Sequence, residues 1–262
     1  MFDFINYGTE TLQIFMLVLL RTSGLFIIAP IFSNKSVPKM VRVGLVIILA
    51  GILVSAIKQP YIPEIVSLWQ LAGLAIKEIL VGFVIGLTFR FLFMGIKTGG
   101  AILGYQLGLA MVSLPDVDTS GQVAVIARLW VLLATLIFLA VNGHHIVITS
   151  LVDSYRAMPV GQVATDVPIG EMILRYSSYV FVIAIKVAAP ISVTLFLVDV
   201  SLGTIAKMMP TMNVFFVGFP IKIGVGLTVV AMSLPLFSYL LRNFIRVLDG
   251  NLQVMYAAWG KV

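Results

Sequence analysis

The sequence predicts an all-α integral membrane protein of about six long apolar helices, several of them broken by proline or glycine. Composition is the first reason. Of 262 residues 60% are hydrophobic and only 11% charged, whereas a soluble domain carries roughly 25% charged residues. Too few charges remain to cover a solvated surface. The second reason is the length of the apolar runs, which approach or exceed the roughly 20 residues that cross a bilayer. The third is where the charges and helix breakers stand: inside those runs and at their ends, not in separate polar linkers. One membrane domain spanning 1–262 is expected.

The first run, Leu12 to Phe32, holds Arg21 and ends near Pro30. Asp3 and Glu10 precede it where a signal peptide would carry basic residues, so a retained helix is expected. The second, Val41 to Ile57, is short and free of internal charge. The third, Leu68 to Ile96, contains Lys77, Glu78 and Arg90. The fourth, Val123 to Leu151, has Arg128 early and the sequence NGHH late, where Gly143 is placed to end or kink a helix. The fifth, Met172 to Leu202, holds Lys186 and Asp199 and should break near Pro190. The sixth, Val214 to Val247, contains Pro220, Lys222 and Pro235, with Asn213 placed as its N-cap. Loop charges give no consistent orientation. The basic first loop (Lys35, Lys39, Arg42) and the basic tail (Arg242, Arg246, Lys261) both vote for the cytoplasm, yet simple alternation of the spans puts them on opposite sides.

Arg21, Lys77, Glu78, Arg90, Arg128, Lys186, Asp199 and Lys222 all fall within or near the ends of these runs. A charge at mid-bilayer costs about 2.5–3.5 kcal/mol even on insertion scales. These side chains therefore predict internal salt bridges, a polar conduit or a subunit interface. Gly82 and Gly86 predict close helix packing. Gly95, Gly99, Gly100, Gly104 and Gly108 are dense enough, at up to about 1 kcal/mol each relative to alanine, to predict a pliable or re-entrant stretch over Thr98 to Gln122. A plain flexible loop is the alternative.

No catalytic or cofactor motif appears: no G-x-S-x-G, P-loop or H-E-x-x-H. No enzyme activity, cofactor or metal is expected. The chain has no cysteine, hence no disulfide and no thiolate site. His144 and His145 are neighbours, which predicts diverging side chains and speaks against a shared metal. The +6 net charge is scattered singly, so nucleic acid is not an expected partner. Between the last two runs lies KMMPTMNVFFVGFPIK, where Pro210 and Pro220 rule out one continuous helix. Met208, Met209 and Met212 there suit a packed hairpin or a compliant partner surface.

Three stretches together resemble the FliR family of flagellar export proteins: RTSGLFIIAPIF (21–32), VNGHHIVITSLVDSYRAMPVG (141–161) and MMPTMNVFFVGFPIKI (208–223). The resemblance implies a component of the type III export gate in the bacterial inner (cytoplasmic) membrane, at the flagellar basal body. The implied partners are FliP and FliQ, with FlhB joining them, other export apparatus proteins and membrane lipid. Unfolded flagellar subunits pass through the channel they form. It also implies a FliP-like part over roughly 1–170 and a FliQ-like hairpin over roughly 171–262. The family's channel plug carries over by position to about Tyr105 to Gly121, including Gln106, Gly108, Met111, Leu114, Pro115 and Asp118. The family's Asp-Pro ahead of Ser-Gly is replaced here by PDVDTSGQ. Gly104 and Gly108 are expected to let that plug move. The competing reading is an ion-coupled secondary transporter acting alone, with Glu78 or Asp199 as coupling residue.

Overall fold

The computed structural model describes residues 2–33, 37–57, 67–108, 125–163, 169–211 and 213–259. All regular structure among them is helical: α1 (Phe2–Ile28), α2 (Lys39–Ala56), α3 (Leu68–Gln106), α4 (Val125–Ala140), α5 (Gly143–Ala157), α6 (Ile169–Met208) and α7 (Val214–Trp259). Five helices contain segments long and apolar enough to cross a membrane, and α4 with α5 makes a sixth if taken as one broken span. The chain is a helical membrane protein.

The predicted fourth span is two helices. They part at Val141 and Asn142, where Asn142 adopts a left-handed backbone (φ 58°, ψ 30°). Asparagine tolerates that conformation better than most residues, and its carbonyl accepts the His145 N–H at 2.9 Å to start α5. Pro190 does not break α6, nor do Pro220 and Pro235 break α7. Each proline removes one backbone bond, yet each helix continues past it. The break between α6 and α7 falls at Met209–Asn213, and the Asn213 carbonyl accepts the Phe216 N–H at 3.1 Å as α7 begins.

The largest departure concerns Thr98 to Gln106, expected to be pliable and found as the last turns of α3. Its glycines serve contact. An added Cβ on Gly95 would press on Ile183 and the Val180 carbonyl, and one on Gly99 on the Ala184 carbonyl at 2.8 Å. One on Gly100 would press on Ala127 and Trp130. Backbone this close to α4 and α6 excludes any side chain, and the packing outweighs the propensity cost of about 1 kcal/mol per glycine. Gly104 is helical too. Of the two expected hinge glycines only Gly108 leaves the helix, at φ +73°.

The helices build two compact units. One comprises Met1–Arg90, Asn142–Ile173 and Ile245–Val262; the other comprises Phe91–Val141 and Leu174–Phe244. In the first, α1 packs with α2, whose buried residues Val46, Ala50 and Leu53 lie on one face at helical spacing. There α1 also lies against α3 at backbone distance. Gly82 faces the Arg21 carbonyl and Gly86 the Leu25 carbonyl, while Gly24 faces the backbone of Ile79. In the second unit Trp130 (α4) meets Phe237 (α7) edge to face, centroids 4.4 Å apart, and Phe93 (α3) meets Phe138 (α4) at 5.6 Å.

Candidate functional site

The strongest polar centre lies in the first unit, around Arg21. Its side chain is fully buried. Nε donates to Glu78 Oε2 at 2.6 Å, Nη1 to Ser154 Oγ at 3.2 Å, and both Nη atoms to the Met158 carbonyl at 3.2 Å. The guanidinium also stands 4.2 Å above the Tyr155 ring. Glu78 is buried as well, and its other oxygen accepts the Gly161 N–H at 2.8 Å. Lys77 donates to the Val163 carbonyl at 3.3 Å. Charged side chains of α1 and α3 thus hold the strand of chain that leaves α5, from Met158 to Val163. Gly161 has φ +80°, the left-handed backbone that lets its N–H turn back onto Glu78.

The buried pair is well satisfied, which low-dielectric surroundings require. The planar guanidinium suits the task because one group meets a carboxylate, a hydroxyl, a carbonyl and an aromatic face together. In the second unit Asp199 (α6) pairs with Lys222 (α7), both partly exposed. For these four residues the partner lies in the same chain, between the alternatives the sequence left open. Arg90, Arg128 and Lys186 are exposed. The Lys186 ammonium lies 5.8 Å from the centroid of Phe244.

Among the residues expected in the plug, Tyr105 is 72% exposed, Gln106 is half-buried and Gly108 ends the turn after α3. Met111, Leu114, Pro115, Asp118 and Gly121 lie outside the described residues, as does Met212 of the hairpin. Met208 and Met209 are exposed, next to an exposed Phe216. The histidine rings do not diverge: their centroids are 4.3 Å apart. Among the described residues no group of three potential ligands gathers around a metal position.

Sequence reasoning missed Ser154, Tyr155 and Met158 as partners of Arg21 and Gly161 as the partner of Glu78, although all four stand in the stretch 141–161 that carries the family likeness.

The Arg21 centre joins the first and second motif stretches, so the sequence likeness and the buried geometry involve the same residues. The profile of the bacterial export proteins, family 1, matches residues 12–248. The chain belongs to this family. Among relatives that bear the name flagellar biosynthetic protein FliR, that of Escherichia coli K12 is 31% identical over 87% of this chain and 86% of its own length. That of Bacillus subtilis 168 is 32% identical over 87% and 89%. The FliR of Aquifex aeolicus is 27% identical over 82% of each. The family assignment makes this chain a FliR-type component of flagellar biosynthesis and places it among other export components.

Proposed function

We propose that the chain assembles with FliP-like and FliQ-like proteins, joined by an FlhB-like protein, into the channel through which unfolded flagellar subunits leave the cell. The assembly would stand in the cytoplasmic membrane at the flagellar basal body. The observation that carries this reading is the exposed charge of Arg90, Arg128 and Lys186 on apolar helices. Lipid would penalise each by about 2.5–3.5 kcal/mol at mid-membrane, whereas a partner subunit or a wet conduit would not. Helix length supports it. At 1.5 Å per residue, α3, α6 and α7, of 39, 40 and 46 residues, extend roughly 58–69 Å, about twice the hydrocarbon core. Such helices fit an assembly raised partly out of the bilayer.

In this reading α6 and α7 take the FliQ-like place, the preceding part is FliP-like, and the segment from Tyr105 to Gly121 closes the resting channel. Co-expression with FliP-like and FliQ-like proteins of the same cell, extraction in mild detergent and native mass spectrometry test the assembly. A defined complex with both partners is expected, and a stable partner-free species would overturn it. Excision within Tyr105–Gly121 should make resting cells leak small ions, and a tight membrane would remove the plug from the account.

A further inference from the structure

The end of α3 packs against the α6–α7 pair. Leu107 is fully buried. Its side chain occupies the space above Gly226 of α7, where an added Cβ would overlap Leu107 Cδ2 and lie 3.4 Å from Leu195 Cδ2 of α6. One residue on, Gly108 takes its left-handed backbone at φ +73°, and a Cβ there would meet the Phe219 ring of α7 at 3.0 Å. Two backbone bonds fix the turn itself: Leu107 N–H to the Leu103 carbonyl at 2.9 Å and Gly108 N–H to the Tyr105 carbonyl at 3.0 Å. A leucine knob, a glycine notch and a left-handed glycine are thus gathered where the chain leaves α3. A branched side chain in a complementary notch has few intermediate positions, because close-packed interiors are not continuously deformable.

We infer that Leu107 is a latch: seated over Gly226 it holds the root of the segment that follows α3 to the α6–α7 hairpin, and export requires it to leave the notch. The inference rests on the reading of that segment as the channel plug, and it names how the plug is held. Movement of the hairpin and release of the root then become one event.

The chain has no cysteine, so a disulfide can be placed at the latch alone. An ideal Cβ on Gly226 falls 3.5 Å from Leu107 Cγ, which bounds its distance from the Leu107 Cβ at about 5 Å, near the roughly 3.5–4.5 Å that disulfides span between Cβ atoms. The L107C/G226C double variant is introduced into the full export complex in flagellated cells, and bond formation is followed by gel mobility. Oxidation should cut subunit secretion at least tenfold and reductant should restore it, with complex composition unchanged and both single variants insensitive to the oxidant. Secretion that continues through a formed disulfide overturns the latch, and failure of the disulfide to form overturns its geometry. As a second measurement, Gly226→Val should open an ion leak that Leu107→Ala in the same chain suppresses. A tight Gly226→Val membrane, beside a leak on excising part of Tyr105–Gly121, rejects the latch and keeps the plug. No leak on excision rejects the plug itself.

Discussion

Arg21 shows how much can depend on one side chain. It is buried among a carboxylate, a hydroxyl, a carbonyl and an aromatic face, and it connects α1 with α3 and with the chain leaving α5. Removing one member of a buried pair leaves the other charge uncompensated, at a cost of about 3–5 kcal/mol. Arg21→Met should therefore lower the unfolding midpoint of the purified chain in detergent by that equivalent. Combining it with Glu78→Leu should be less harmful than Arg21→Met alone, since no orphan carboxylate remains. Equal or greater loss in the double variant would mean that the hydrogen bonds to Met158 and Gly161 matter more than the charges. Legibility at this scale is partial. The sequence marks Arg21 and Glu78 as charges in need of partners, but 57 residues separate them, and no local pattern says that they meet.

At the scale of elements, glycine is what local reasoning reads least well. A run of glycines lowers helix propensity, and on that ground Thr98–Gln106 looked pliable. Yet Gly95, Gly99 and Gly100 lie where α4 and α6 approach α3 too closely for a Cβ. The same residue type has the opposite character at Gly203, whose Cβ position in α6 is open. The two sites therefore predict opposite signs. Gly99→Leu should destabilise the chain by about 1–3 kcal/mol through overpacking. Gly203→Ala should be neutral or stabilising by up to about 1 kcal/mol through helix propensity. Thermal unfolding of both variants in one detergent decides, and a harmless Gly99→Leu would sink the packing account of α3. Proline follows the same logic. Pro190, Pro220 and Pro235 remain inside α6 and α7, although local propensity sets proline against a helix interior.

For the whole molecule, the notable feature is what the chain leaves uncovered. Large apolar side chains such as Phe181, Phe196, Met208 and Phe216 are exposed along α6 and α7, and exposed cations accompany them. Lipid suits the first group and not the second. Arg128→Leu should leave the stability of the isolated chain within about 0.5 kcal/mol, as an exposed substitution does, yet reduce recovery of FliP-like and FliQ-like partners several-fold in native mass spectrometry. Unchanged recovery would show that Arg128 faces water or headgroups.

By itself the sequence determined the class of protein and the approximate place of its helices, because transfer out of water depends on composition and on run length, and both are local sums. It also determined the family, through three separated stretches that each carry several specific residues. Tertiary structure alone decided which charge meets which and which glycines pack. It also decided where α3 ends and what Leu107 rests against. These outcomes depend on distances between residues remote in the chain, where a single methyl group or one hydrogen bond tips the balance.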